Sequence, residues 1–194
     1  MIKYSYVNYI FGSPGAGKTT VLSKIGQYFI KKKVKVYSNF PLKGAIFIAD
    51  EDLGYWDFGE GSVILLDECG ISYNNRNFKS GLMSDPQRLA YWKLVRHYKN
   101  ILFLASQSWS DVDKKCRDLS TNYLLIKRSI IPGCTILKPI YKKVDIDENT
   151  HEPADFYVID VFWNWKLIFR KRWYKYFNSF DAPELPPYPD KEVV

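Results

Sequence analysis

GSPGAGKT, from Gly12 to Thr19, is the stretch on which the reading of this chain turns. It has the spacing G-x-x-x-x-G-K-[ST] in full, between a strand-like run and a helix-like one. Glycines let the backbone curl so that its N–H groups face an anion. A helix beginning near Lys18 adds its positive end. Lys18 then reaches the β- and γ-phosphates of a nucleotide, and Thr19 offers its hydroxyl to Mg²⁺. Gly12, Ser13, Pro14, Gly15, Ala16, Gly17, Lys18 and Thr19 are therefore expected to cradle the phosphates of ATP, with Thr20 near the α-phosphate.

The flanks agree. Residues 3–11 are rich in Tyr, Val and Ile and suit a strand. Residues 20–30 read as a helix with Val21, Ile25 and Phe29 on one face, closed by Lys31 to Lys33. Residues 35–39 and 46–48 read as short strands, and the acidic, glycine-punctuated 50–61 as a loop or short helix. SVILL, residues 62–66, is an apolar run of the kind buried on both faces of a parallel sheet. Residues 74–85 read as a polar surface loop. A helix is expected after Asp85, with Pro86 in its first turn and Tyr91, Leu94, Val95 and Tyr98 on one face. NILFLA, residues 100–105, is another buried strand; Ser110 and Asp113 form a candidate capping box, and residues 123–126 a further strand.

Asp67 and Glu68 follow SVILL at once. A carboxylate at the end of an apolar strand is where Mg²⁺ and its waters are held, so Asp67 is read as metal support. Strand alternation would turn Glu68 the other way, towards an attacking water. Gln107 follows the next buried strand, at the carboxyl end that faces the ligand crevice of a parallel sheet, and is read as the group that senses the γ-phosphate. Arg76, Arg88, Arg96, Arg117 and Arg128 all lie after Asp67. One could serve a neighbouring subunit as an arginine finger, with Arg96 and Arg117 as candidates. The plainer readings are a helix-end cation for Arg96 and a pair with Asp113 for Arg117.

The chain has 194 residues, 46% hydrophobic and 17% aromatic, enough for a core and against wholesale disorder. Its formal net charge of +7 is compatible with a polyanionic partner. Cys69, Cys116 and Cys134 form no C-x-x-C pair, and with His97 and His151 as the only histidines they supply no zinc set, so reduced thiols are expected. No apolar run reaches the roughly 18 residues of a membrane span, and the N-terminus is not a signal peptide.

Together these define an α/β fold: a P-loop NTPase of the RecA-like type with a mostly parallel central sheet. Residues 1–132 form its core. Residues 133–180 change character and read as a small antiparallel β appendage packed on the core. Residues 181–194, proline-rich, read as an extended tail. Aromatics crowd residues 156–177, with Arg170, Lys171 and Arg172 among them. They suit either a stacking surface for single-stranded DNA or the packed face of the appendage; packing is the preferred reading.

The loop GSPGAGKT, the segment SNFPL (38–42), SVILLDE (62–68), Arg96–His97, ASQS (105–108), the D-x-x-x-R run from Asp113 to Arg117 and YKYFNSFD (174–181) resemble the zonula occludens toxin-like ATPases. These are morphogenesis proteins of filamentous phages, within the FtsK–HerA group of DNA-pumping ATPases. Cys69 and Gly70 depart from the Ala and polar residue usual after the acidic pair in that family. The resemblance implies an Mg²⁺–ATP-driven motor for phage DNA packaging, extrusion or virion assembly, working as a homo-oligomeric ring, a hexamer, on DNA that could be single-stranded. Many relatives carry a membrane segment after the ATPase part. This chain is expected to act in the host cytoplasm, at the inner face of the membrane through a separate membrane or virion assembly protein. The family's toxin activity is not carried over. The alternatives are a non-packaging DNA translocase or conjugation ATPase, an ATP-dependent assembly scaffold and a small-molecule kinase. Glu68 argues against the kinase, which has no water to activate; the absence of N-K-x-D argues against a GTPase.

Overall fold

The computed structural model describes residues 6–69, 85–112, 114–146 and 153–177. β1 (Val7–Phe11) enters the glycine loop and α1 (Lys18–Lys31) leaves it. β2 (Val36–Ser38), β3 (Ile46–Phe47) and a 3-10 turn at Asp50–Asp52 follow. β4 (Val63–Leu66) precedes the acidic pair. α2 (Pro86–Leu94), β5 (Ile101–Ser106), α3 (Lys114–Leu119) and β6 (Asn122–Arg128) come next. β7 (Cys134–Ile146), β8 (Pro153–Ile159) and β9 (Lys166–Phe169) complete the strands. The polar loop expected at 74–85 lies outside the described residues except for Asp85.

Among the described residues one nine-stranded sheet takes every strand, in the order β3-β2-β4-β5-β1-β6-β7-β8, with β9 also on β7. Pairings from β3 through to β6 are parallel; those that β7 makes with β6, β8 and β9 are antiparallel. This is the α/β fold with a mostly parallel central sheet. β5 stands between β1 and β4, so the glycine loop and the acidic pair hang from strands one place apart, with the end of β5 between them. The antiparallel strands continue the core's own sheet, from Tyr123 opposite Ile140 to Arg128 opposite Thr135.

Strand alternation builds two cores, one on each face. Ile10, Val63, Leu65, Phe103 and Ala105 pack with Val21, Leu22 and Ile25 of α1. Tyr9, Ile64, Leu66, Leu102 and Leu104 pack with Tyr91, Trp92 and Val95 on the α2 side. Both faces of β4 and β5 are therefore dry, which explains their continuous apolar runs.

α2 departs in part from its expected face. Asp85 caps it, accepting from the Gln87 N–H at 2.9 Å, with Pro86 in the first turn. Tyr91 and Val95 are buried as expected, but so is Trp92, while Leu94 and Tyr98 are exposed. The helix stops at Leu94, and Tyr98 returns from the following turn to stack on Tyr91 at 5.5 Å. Tyr98 lies past the end of the helical period, and Leu94, its last residue, turns outward where Trp92 turns in.

The open edge of β7 is filled by β8 and β9 end to end. β8 pairs with residues 140–146 of β7 and β9 with residues 134–137. Residues 160–165 bulge out between them, held by Asp160, whose N–H bonds Pro139 O at 2.9 Å. Its carboxylate accepts from the Tyr141 hydroxyl (3.0 Å) and Asn164 Nδ2 (2.6 Å). After β9 the chain straps back on the α1 side. Trp173 and Tyr176 pack against the α1 core, Tyr176 O accepts from Lys43 N–H at 2.9 Å, and Phe177 bridges to Leu42. β9 and the strap bring Lys166 and Arg172 near Lys24, whose pKa is lowered by burial and then by those two cations. Among the described residues no helix is long and apolar enough to cross a membrane.

Candidate functional site

The glycine loop leaves β1 at the carboxyl end of the sheet. Gly12 N–H bonds Ser106 O on neighbouring β5, and Ala16 N–H bonds Ser13 O. Gly15 and Gly17 take φ of 68° and 101°, the left-handed region where only glycine is unstrained. Gly17 is also the N-cap of α1, so the helix begins at Lys18 with its N–H groups turned towards the loop. Lys18 is 5% exposed, and its ammonium bonds Gly12 O at 3.0 Å. A buried ammonium needs an oxygen, and the loop supplies its own. Thr20 is buried in the first turn of α1.

Thr19 and Asp67 meet across the sheet. The Thr19 hydroxyl donates to Asp67 Oδ2 at 2.5 Å. Asp67 is 8% exposed, and that burial pushes its carboxyl pKa up, against the opposing pull of the Thr19 hydroxyl and the Glu68 N–H. Asn39, just past β2, fixes the backbone here. Its Oδ1 accepts from Asp67 N–H at 2.7 Å, and its Nδ2 donates to Asp67 O at 2.9 Å and to Asp50 Oδ1 at 2.8 Å.

Glu68 parts from Asp67 by a different device than strand alternation. β4 ends at Leu66, so both acids lie beyond the strand. Glu68 sits at φ 52°, a costly left-handed conformation for a residue with a Cβ. The turn carries its carboxylate to the end of β5, where Gln107 Nε2 donates to Glu68 Oε2 at 2.8 Å. The loop bearing Gln107 is pinned from below. Asp111 accepts from the Ser106 hydroxyl (3.0 Å) and Ser108 N–H (2.7 Å), and the buried Tyr9 hydroxyl donates to Ser108 O at 2.8 Å.

Lys18, Thr19, Asp67, Glu68 and Gln107 thus converge, from the ends of three adjacent strands. Arg96 does not join them. It is exposed in the turn that precedes β5, at the opposite end of the sheet. Arg117 is engaged by its own chain: it donates to Trp109 O at 2.8 Å and lies over the Trp109 ring at 5.3 Å. Asp113, its expected partner, lies outside the described residues. Two other arginines reach the loop instead, Arg128 from the end of β6 and Arg170 after β9. Asn39 was legible in principle, since it too follows a parallel strand at its carboxyl end. Arg170 had no such signal.

A glycine loop between strand and helix, an acidic pair one strand removed and a polar residue on the strand between define the P-loop NTPase fold. Within that class, residues 43–154 match the family described as zonular occludens toxin (Zot), more than half of the chain, and the protein belongs to that family. Among solved structures, the fold is similar to the N-terminal domain of zonular occludens toxin from Neisseria meningitidis. The TM-score is 0.58 at 19% identity, over 90% of this chain and 100% of that one. It is also similar to the genome packaging NTPase B204 of Sulfolobus turreted icosahedral virus 2 in complex with AMP, with TM-score 0.52 at 10% identity, over 79% of this chain and 98% of that one. The ATP-gammaS complex of B204 gives 0.51 at 12% identity, over 79% and 98%. At these identities the likeness is one of fold. No curated protein sequence gives a match.

Proposed function

We propose that this chain hydrolyses ATP with Mg²⁺ and uses the turnover to move DNA during phage packaging, extrusion or virion assembly. The observation that carries the reading is the Glu68–Gln107 bond beside the Thr19–Asp67 bond: one pair suited to water, the other to a metal. Thr19 and Asp67 offer two hard oxygens and, among the described residues, no fuller cage. That suits Mg²⁺, which keeps waters and phosphate oxygens as its remaining ligands. When bound, Mg²⁺ neutralises charge on the phosphates. Lys18 exchanges the Gly12 carbonyl for phosphate oxygens, and the unpaired N–H groups at the start of α1 face the same anion. Gln107 orients a water towards the γ-phosphorus and Glu68 takes its proton. The new P–O bond forms as the bond to the β,γ-bridging oxygen breaks, leaving ADP and phosphate.

The DNA half of the proposal draws on charge. Residues 122–128, 134–146 and 153–177 hold ten lysines and arginines against three carboxylates, Asp145, Asp155 and Asp160, the last engaged by its neighbours. The aromatics divide. Trp173, Tyr176 and Phe177 pack, while Phe162 (67% exposed), Trp163 (85%) and Phe169 (61%) stand open among those cations. Exposed rings among cations suit stacked bases and phosphates. The working form is a ring, a hexamer, at the cytoplasmic face of the membrane with a separate assembly protein. Arg96, exposed and outside its own site, is the candidate for a neighbour's site.

Phosphate release from ATP, with and without single- and double-stranded DNA, tests this. Wild type is expected to turn over ATP, faster with DNA, and folded Lys18→Ala is not. DNA binding should fall steeply as salt rises, as counterion release requires. Equal turnover by Lys18→Ala sinks the ATPase. No DNA binding at low salt with an ATP analogue leaves the assembly scaffold, and phosphate appearing on an added nucleoside means a kinase.

A further inference from the structure

We infer that Arg128, Thr135 and Arg170 are positioning residues for the phosphate loop, so that the C-terminal strands form the outer wall of the nucleotide site. The inference rests on the nucleotide-binding reading of that loop. A loop that turns its N–H groups inward turns its carbonyls outward, and those oxygens need partners. Three consecutive carbonyls find theirs on the late strands. Arg128 gives Nη2 to Pro14 O at 3.2 Å and Nε to Gly15 O at 3.3 Å. Arg170 gives Nη1 to the same Gly15 O at 3.0 Å. Thr135, buried at the start of β7, donates to Ala16 O at 2.7 Å.

The motif glycines tell the same story from the other side. A Cβ at Gly12 would strike the Ile126 carbonyl of β6, one at Gly15 the Arg128 guanidinium, and one at Gly17 the Thr135 hydroxyl. Phosphate chemistry asks for glycine on the inside of the loop; β6 and β7 ask for it on the outside as well. Among the described residues neither Arg128 nor Arg170 has a carboxylate partner. Two guanidiniums drawn onto one carbonyl oxygen keep their full charge at the loop, where it favours an incoming anion. Their effect therefore falls on nucleotide affinity and passes through the backbone of residues 14–16.

The test is a set of substitutions in the full chain, read by ATP-gammaS affinity, KM, kcat and melting temperature. Arg128→Ala and Arg170→Ala should each raise Kd and KM about tenfold, with kcat at saturating ATP changed less than about twofold. Lysine should separate the two sites. Arg170→Lys recovers most of the affinity, because one N–H meets one oxygen. Arg128→Lys recovers little, because a fork spans two carbonyls. Thr135→Ser keeps wild-type affinity and Thr135→Val loses it; this pair decides the matter where an alanine variant fails to fold. Wild-type Kd and KM in folded Arg128→Ala and Arg170→Ala would overturn the inference. So would a hundredfold loss of kcat at unchanged KM, which would mean that the arginines touch the transferring phosphoryl group. Lower melting with unchanged KM would leave them a purely structural role and also overturn it. Lys18→Ala in the same assay separates the two failures. If it binds nucleotide normally, the site reading is wrong. If it alone loses binding, only the arginine inference is.

Discussion

The parallel and antiparallel halves of the sheet are built to different rules. β1, β4 and β5 are buried on both faces along nearly their whole length, and Lys18, Asp67, Glu68 and Gln107 stand beyond their carboxyl ends. β8 and β9 leave Phe156, Val158, Leu167 and Phe169 exposed, beside a run of lysines and arginines. A strand dry on both faces can hold a reacting group to within a hydrogen bond, because its end has nowhere to move. A strand open on one face can be read by a partner. The converging polar groups belong to the first half and the exposed rings and cations to the second, and the loop is where they touch.

The hardest blow to that division would fall on Glu68. Glu68→Gln keeps the shape and loses the proton acceptor, so single-turnover cleavage should drop about 10²–10⁴-fold while ATP binding persists. Unchanged cleavage would mean that another group activates water. Next in size is a packing contrast. Ile64→Ala empties a site that is fully buried and should cost about 2–5 kcal/mol of unfolding free energy in urea. Leu167→Ala on the open face should stay within about 0.5 kcal/mol. Equal costs would erase the distinction between the halves.

Those two halves were not equally readable in the sequence. GSPGAGKT and Asp67–Glu68 declare themselves because their chemistry depends on spacing along the chain, and the apolar runs before them give the strands. The strand order, with β5 between the loop and the acids, needed the structure. So did the arginines: Arg128 reaches the loop across 113 residues and Arg170 across 155, through contacts that no local period encodes. The left-handed turn at Glu68 was also invisible, since a residue with a Cβ gives no local signal for it.

Asn39 sharpens the picture at intermediate size. Asn39→Ala leaves the buried Asp67 N–H and C=O without their partner and should cost about 1–3 kcal/mol, with turnover falling alongside. A stable variant with full turnover would show that β2 contributes nothing to the acids. The smallest effect is a pH dependence at Asp67. Folding raises its pKa above the ordinary 3.8, so the folded chain binds the proton more tightly. The cost of ionising it is absent below that value and grows as pH rises through the folded one. Nucleotide-free Asp67→Asn should therefore melt higher than wild type near neutral pH, by about 2–4 °C per kcal/mol relieved. The gap should close on acidification. A gap that widens in acid would reverse the sign assigned to this carboxyl.

The bulge at residues 160–165 has a consequence for how copies of this chain can meet. A long unpaired strand edge is a template on which further chains can add, ending in aggregates. Here β8 opens with Pro153 and stops at the bulge, β9 offers four residues, and at the far end of the sheet β3 offers two. Among the described residues neither margin presents a long uninterrupted strand edge. Self-association of the folded protein is thereby steered away from sheet continuation and towards side-chain surfaces, which can form and release without cross-β growth.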